Sequence, residues 1–226
     1  NRICSKAYQY RIPVLIDAEE TWMQDPIDDL AYEMMKKYNS EKAIVFNTYQ
    51  LYRTASLQNL KDAFRTADKE NYHLGAKLVR GAYMEKERER AEKLGQVSPI
   101  QPTKEASDKA FNEALEFCVQ NNRRIAIMCG SHNEFSNQYL TQLMVKYGIA
   151  NNDERFWFAQ LYGMSDNISF NLAKAGYKVA KYVPYGPVKS VMPYLFRRAA
   201  ENTSVAGQSS RELTLIRKEL KRRRGK

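Results

Sequence analysis

Short apolar runs recur along the chain, and a segment of helical pattern separates each run from the next. Successive runs lie 22 to 32 residues apart, close to the length of one strand–helix–strand unit, except across the longer interval that holds the loop 95–102. No run alternates regularly between hydrophobic and polar residues, which is typical of strands buried on both faces of a parallel sheet. The six runs are Val14–Asp17, Ala43–Thr48, Ala76–Tyr83, Arg124–His132, Arg155–Tyr162 and Tyr177–Pro184. An α/β protein with parallel strands is therefore predicted.

Capping residues predict where several of the intervening helices begin. Asp25 is a good cap with Pro26 at the first helical position, and Thr54 and Thr103 are caps of the same kind. The predicted helices are Pro26–Tyr38, Ala55–Glu70, Met84–Leu94, Thr103–Gln120, Glu134–Lys146, Asp166–Ala175 and Pro187–Asn202.

The ends of the strands favour a barrel over a doubly wound sheet. The ten glycines form neither the GxGxxG pattern of a dinucleotide fold nor a GxxxxGK[ST] phosphate loop. Polar or aromatic residues instead follow nearly every run, and a (β/α)8 barrel builds its active site at these carboxyl ends. With six strands assigned, an eight-stranded barrel is two strands short, so the chain is expected to be a fragment.

The net charge of +10 is concentrated in the last residues. Residues 211–226 contain Arg211, Arg217, Lys218, Lys221, Arg222, Arg223, Arg224 and Lys226 against only Glu212 and Glu219. The rest of the chain is nearly balanced, which argues against a nucleic-acid-binding face with interleaved aromatics. We predict a barrel domain over 1–208 and a basic helix or tail over 209–226.

The basic tail has an apolar side. Leu213, Ile216 and Leu220 are spaced three and four residues apart, so residues 210–224 form an amphipathic helix if they are helical. Such a helix either packs on the barrel or contacts an anionic membrane. The three scattered cysteines, Cys4, Cys118 and Cys129, indicate a reducing compartment rather than a disulfide framework.

Three strand ends carry candidate catalytic or binding groups. Asp17 follows the first run and is either an acid/base or orienting group or a loop cap. Lys77 and Arg80 lie close together on the third run, where they need either an anionic ligand or salt-bridge partners. His132 is either a ligand, an acid/base or cofactor contact, or a hydrogen-bonded structural residue. Since His73 is the only other histidine, no metal site is expected.

The last predicted helix suggests a site for a small carboxylate. Tyr194, Arg197, Arg198 and Glu201 share one helix face, and two adjacent guanidinium groups can clamp a carboxylate. Tyr182 and Tyr194 could wall an apolar ring beside it. The alternative is an Arg197–Glu201 pair on a solvated face. No nucleophile–histidine pair is apparent, so hydride transfer to a bound cofactor fits this pocket.

Seven segments together resemble the proline dehydrogenase family, in the family's order and over nearly the whole chain. They are IDAEE (16–20), FNTYQ (46–50), KLVRGAY (77–83), SHN (131–133), QLYGM (160–164), YVPYG (182–186) and YLFRRAAEN (194–202). The resemblance is greatest to the single-function, mitochondrial-type members. It implies a distorted (β/α)8 barrel with FAD at the strand ends, of which this chain carries strands 3–8. The first two strands, with a lysine that helps bind the substrate carboxylate in the family, are expected in a missing N-terminal part.

The resemblance also implies roles for individual residues. Asp17 is the expected active-site acid, and Lys77 lies where many members have an arginine close to the hydride-accepting nitrogen of the flavin. The expected substrate contacts are Tyr83, Leu161, Tyr182, Tyr194, Arg197 and Arg198, with the two arginines on the carboxylate. The expected cofactor contacts are Asn47, Val79, Arg80, Gly81, Ala82, Ser131, His132, Gln160 and Glu201.

The implied reaction is oxidation of L-proline to Δ1-pyrroline-5-carboxylate, with hydride transfer to FAD and a quinone as final electron acceptor. The implied location is the bacterial cytoplasm at the inner membrane, or the matrix face of the mitochondrial inner membrane. Tyr182 favours proline, since relatives that prefer hydroxyproline have a smaller residue here. A hydroxyproline-preferring member and a flavin-free barrel with Lys77 as a Schiff-base lysine are the alternatives.

Overall fold

A computed structural model describes the backbone of residues 1–204 and 206–225 and the side chains of 1–196 and 213–225. The chain divides into two compact units, Asn1–Tyr182 and Val183–Lys226. The division expected after residue 208 falls where side chains are not described, and it stays a prediction.

The first unit contains a six-stranded parallel sheet. Its strands are β1 (Val14–Ile16), β2 (Val45–Gln50), β3 (Leu74–Val79), β4 (Ile125–Gly130), β5 (Phe156–Leu161) and β6 (Lys178–Tyr182). Its helices are α1 (Arg2–Tyr10), α2 (Thr21–Tyr38), α3 (Ser56–Lys69), α4 (Met84–Lys93), α5 (Lys104–Gln120), α6 (Glu134–Lys146) and α7 (Asp166–Lys174). The second unit contains α8 (Val188–Ser204) and α9 (Ala206–Arg224).

The strands lie in the sheet in the same order as in the chain, β1-β2-β3-β4-β5-β6, and every neighbouring pair is parallel. Because strand–helix–strand crossovers are right-handed, this order places the crossover helices on one side of the sheet. The sheet curls into a half-barrel, which confirms the prediction of an α/β protein with part of a (β/α)8 barrel. We call the side packed against helices the helix-covered face, and the other side the inner face.

The hydrophobic core lies between the sheet and its helices. Alternate strand residues belong to it and are fully buried, among them Val45 and Tyr49 of β2 and Leu74, Ala76 and Leu78 of β3. Their neighbours in sequence therefore point to the inner face, since successive strand side chains alternate.

One predicted helix start and one predicted cap are wrong. Helix α2 begins five residues before Pro26, at Thr21, so the proline lies inside the helix. Helix α3 begins at Ser56 without a side-chain cap, because Thr54 donates its hydroxyl to the Pro99 carbonyl instead, at 3.3 Å. The third cap is confirmed: Thr103 Oγ1 accepts the N–H of Ala106 at 3.1 Å.

Candidate active site

Side chains of several predicted site residues meet on the inner face, at the carboxyl ends of the strands. The alternation set by the core places Lys77, Val79, Leu161 and Tyr182 on this face. Asp17 joins them directly after β1. The carboxyl ends of parallel strands form one rim, so groups from four strands share this edge of the sheet.

An ion pair links the first and third strands across the second. Lys77 Nζ donates to Asp17 Oδ1, and the lysine side chain is mostly buried while that of the aspartate is more than half exposed. Lys77 is register partner to Thr48 of β2, which donates its hydroxyl to the Ile16 carbonyl at 2.7 Å. For Lys77 the structure therefore shows the salt-bridge alternative, on the inner face of the half-barrel, and for Asp17 it shows a partner that the carboxylate can orient.

Gln50 is an inner-face residue that sequence reasoning did not select. It ends β2, is buried, donates Nε2 to the Glu19 carbonyl at 2.7 Å and accepts the Ala82 N–H at 3.4 Å. Its amide therefore connects the loop after β1 to the loop after β3. The signal that could have found it is its spacing of two residues from Thr48, because residues two apart in a strand point to the same face.

Asn47 lies on the helix-covered face, away from the other predicted cofactor residues. Its amide is completely buried and donates to Asp28 Oδ1 of α2 at 2.7 Å. Burial raises the pKa of the Asp28 carboxyl, although hydrogen bonds from Asn47 and Gln24 act in the opposite direction. The structure therefore does not bring Asn47 to the rim.

Arg80 holds two strand ends together. Its guanidinium donates to Asp108 of α5 at 2.6 Å, to Ser131 after β4 at 2.9 Å and to Ser136 of α6 at 2.9 Å. It also lies 4.5 Å above the ring centre of Phe111. Burial alone would raise the pKa of Asp108, but hydrogen bonds from Lys104 and Arg80 outweigh it and hold that pKa below its usual value.

The loop after β4 is fixed by a buried polar network. The Ser131 carbonyl accepts from Gln160 Nε2 at 3.2 Å and from Asn137 Nδ2 at 3.1 Å. Gln160 is buried on the helix-covered face, so it supports this loop from behind and does not reach the rim itself. His132 Nδ1 lies 2.9 Å from Ser165 Oγ, which ties the same loop to the turn after β5.

One layer of the inner face has only small side chains across the last three strands. Gly130, Ala159 and Ala180 are register neighbours on β4, β5 and β6. A Cβ at Gly130 would already press on Val79 Cγ1 at 3.0 Å. These residues form a flat shelf, bordered at the rim by Leu161 and Tyr182, which are register partners. A planar aromatic ring system suits such a surface.

The backbone after β3 turns sharply at Gly81. Its φ of +140° is a conformation that side-chain-bearing residues rarely adopt. A Cβ there would also lie 2.2 Å from the Tyr52 ring. The turn exposes Ala82 and leads to Tyr83, which donates its hydroxyl to Glu19 Oε2 at 3.0 Å.

In the second unit, Tyr194 is half-buried within α8. The predicted carboxylate clamp, Arg197 and Arg198, and the predicted cofactor contact Glu201 lie outside the side chains that the structure describes.

A family model described as proline dehydrogenase matches residues 1–211. The chain belongs to the proline dehydrogenase family. The mitochondrial proline dehydrogenase 1 of Drosophila melanogaster is 42% identical over 99% of this chain and 34% of its own length. A hydroxyproline dehydrogenase of Xenopus laevis is 40% identical over 99% of this chain and 49% of its own length. The chain thus spans a third to a half of the length of these relatives.

A solved structure from a bacterium has the same fold. Proline utilization A from Bdellovibrio bacteriovorus, inactivated by N-propargylglycine, superposes with a TM-score of 0.83 and 25% identity. The match covers 91% of this chain and 21% of that one. The family predicted from the seven segments is therefore confirmed.

Proposed function

We propose that this chain carries part of the catalytic barrel of a flavoenzyme that oxidises L-proline to Δ1-pyrroline-5-carboxylate, with a quinone as final electron acceptor. The observation that carries the proposal is the Asp17–Lys77 pair on the inner face, beside the flat shelf of a proline dehydrogenase-family barrel. A cation on the inner face, one layer from a surface of small side chains, suits a flavin ring system.

The residues present fit FAD. The bound flavin would supply the hydride acceptor for the ring carbon beside the proline nitrogen. Lys77 would lie near the part of the ring system that becomes more negative, and a preorganised cation stabilises such charge. Asp17 orients the Lys77 ammonium by their ion pair.

The other predicted cofactor residues have different roles in this proposal. Val79, Gly81, Ala82, Ser131 and His132 would contact FAD from the strand ends. Arg80 and Gln160 hold Ser131 in place, and Asn47 acts only through the packing of β2 on α2. Glu201 keeps its proposed contact from the family resemblance alone.

For the substrate, Leu161 and Tyr182 would wall the proline ring at the rim, with Tyr83 contributing from the loop after β3. Tyr182 is 44% exposed, so its side chain is accessible for contact with a bound molecule. Arg197 and Arg198 would clamp the carboxylate and Tyr194 would pack beside it, as the family resemblance implies. Holding the substrate in one orientation raises the rate of hydride transfer by proximity.

The proposal is tested with purified, intact protein. We expect a yellow preparation that reduces a soluble quinone when L-proline is added and not when a hydroxyacid is added. A colourless preparation without bound flavin would favour the lyase alternative. That alternative is less well supported, since Lys77 is paired with Asp17 and a Schiff-base lysine must attack as the neutral amine.

Hydroxyproline is the second candidate substrate, and the similarity to a hydroxyproline dehydrogenase favours testing it. We propose that Tyr182 excludes the extra hydroxyl. Tyr182→Ser should then shift the ratio of kcat/KM values toward hydroxyproline, with Tyr162→Ser, an exposed tyrosine just after β5, as control. An unchanged ratio in Tyr182→Ser contradicts this role.

We further propose that α9 contacts an anionic membrane surface. In the described part of the helix, Leu213, Ile216 and Leu220 are exposed on one side, and basic residues surround them. No helix among the described residues is long and apolar enough to cross a membrane. We propose a mitochondrial location, as the relatives' names suggest, at the matrix face of the inner membrane.

Vesicle sedimentation tests the membrane contact. Binding to vesicles with anionic lipid that is released by high salt is expected, with little binding to neutral vesicles. Absence of binding at low salt would contradict it.

A further inference from the structure

A carboxylate from another helix caps the first turn of α2. Helix α2 begins at Thr21, and its N-cap residue Glu20 makes no side-chain cap hydrogen bond. Instead the Thr21 N–H donates to Glu87 Oε1 at 2.6 Å, and Thr21 Oγ1 donates to Glu87 Oε2 at 2.8 Å. Glu87 belongs to α4 and is only 2% exposed. Negative charge is favourable at a helix N-terminus, so the contact stabilises this start of α2.

Further contacts between residues 19–22 and 83–90 surround this cap, and we call the whole set the latch. Tyr83 donates to Glu19 at 3.0 Å, and Lys86 pairs with Glu20. The Arg90 guanidinium lies 4.4 Å above the ring centre of Trp22. The latch therefore joins the loop after β1 to the helix after β3.

The latch spans the same strands as the Asp17–Lys77 pair. Asp17 lies between the last residue of β1 and Thr21, and Lys77 lies on the strand that leads into α4. In the ion pair, Asp17 after β1 contacts Lys77 of β3. In the latch, Thr21 contacts Glu87 of the helix that follows β3. A change in the spacing between these two segments would therefore move the Asp17 carboxylate relative to the Lys77 ammonium.

The loop after β1 depends on such support. Strand β1 has only three residues and, among the described strands, pairs with β2 alone. Gln50 holds the Glu19 carbonyl from β2 at 2.7 Å. Glu87 holds the other end of the loop at Thr21.

We infer that Glu87 is a positioning residue that acts through Thr21 to place Asp17 against Lys77 at the reaction site. The inference rests on the proposed oxidation of proline. Glu87 is too deeply buried to contact substrate, so its influence on the reaction must pass through the loop.

Two substitutions at Thr21 isolate the contact. Thr21→Val keeps the shape and removes the hydroxyl donor, whereas Thr21→Ser keeps the donor. We expect Thr21→Val to lower kcat about tenfold with KM for proline within about twofold, since small displacements of catalytic groups cost rate. Thr21→Ser should restore the wild-type kcat to within about twofold. Glu87→Gln should resemble Thr21→Val, and the exposed Glu92→Gln in the same helix is the control.

A double-mutant cycle separates positioning from general destabilisation. If Glu87 and Thr21 act through Asp17, Thr21→Val should change kcat less than about twofold in an Asp17→Asn background. Equal losses in both backgrounds, or no loss in Thr21→Val alone, overturn the inference.

Amide exchange gives a readout that needs no activity. The Thr21 amide should exchange faster in Glu87→Gln than in wild type, and unchanged protection overturns the latch. A wild-type protein that fails to oxidise proline overturns the proposed function, and with it the catalytic part of this inference, whereas the exchange result still decides whether the latch exists.

Discussion

Lys77 and Asp17 form an ion pair although the strands that carry them are not neighbours in the sheet. The pair crosses above β2 on the inner face, where Thr48 and Gln50 of that strand hold the last residue of β1 and the loop that follows it. Two charged groups are thereby fixed at the rim of a proline dehydrogenase-family barrel, which is where barrels place their reactive groups.

Removal of the Asp17 charge should slow the reaction more than it destabilises the fold. Asp17→Asn leaves the mostly buried Lys77 without its anionic partner, so we expect kcat for proline to fall about 10- to 100-fold. The melting temperature should fall only modestly, because the Asp17 side chain is more than half exposed and the asparagine amide oxygen can still accept a hydrogen bond from Lys77. Asp62→Asn, which breaks an exposed ion pair with Arg65 on α3, is the control. Wild-type kcat in Asp17→Asn would contradict the role of the pair.

Gln50 and Asn47 should behave differently because they lie on opposite faces of β2. Gln50→Leu releases the Glu19 carbonyl and the Ala82 N–H at the rim, so we expect weaker flavin binding and a shifted flavin absorbance spectrum. Asn47→Ala removes a buried hydrogen bond to Asp28, which should lower the free energy of unfolding by about 1–3 kcal/mol without shifting that spectrum. The reverse pattern in flavin spectra and urea unfolding would show that the assigned faces are wrong.

The opposite faces of Gln50 and Asn47 could not be predicted from the sequence. The runs around 43–48 and 76–83 were sufficient to predict two parallel strands. A strand buried on both faces lacks alternation, however, and so does not reveal which residues face the helices. The face of Asn47 became clear only from its contact with Asp28 on α2.

The start of α2 was missed for a different reason. Asp25 and Pro26 form a good local start signal, but Glu87, 66 residues away, caps the helix five residues earlier. Long-range contacts override local capping preferences, and one sequence cannot reveal them. The Thr103 cap, which is local, was predicted correctly.

Gly81 should tolerate alanine much less well than Gly95 does. Both have positive φ, which costs a side-chain-bearing residue about 1–3 kcal/mol. A Cβ at Gly81 would also meet the Tyr52 ring at 2.2 Å, whereas nothing lies within 4 Å of one at Gly95. Urea unfolding should therefore show a clearly larger loss for Gly81→Ala. Equal losses for the two variants would mean that Tyr52 does not pack beneath the turn.

Asp108 should make stability depend on pH in the acid range. Burial opposes its charge, but hydrogen bonds from Lys104 and Arg80 lower the pKa in the folded protein. Stability from this group is therefore fully present above the unfolded pKa of about 3.9 and is lost as pH falls through the lower folded pKa. Asp108→Asn should reduce the free energy of unfolding near neutral pH, with a difference from wild type that shrinks in acid.

Unfolding curves measured between about pH 2.5 and 7 check the Asp108 prediction, with the exposed Asp29→Asn as a charge-matched control. A difference between Asp108→Asn and wild type that stays constant down to the lowest pH would contradict it.

The central claim is that the inner face binds FAD and presents L-proline to it. Anaerobic titration of the purified protein with L-proline, followed by the flavin absorbance spectrum, tests this claim most directly. We expect the flavin absorbance to bleach with added proline, to the same end point that dithionite produces. A flavin spectrum that dithionite bleaches but saturating proline leaves unchanged would contradict the claim.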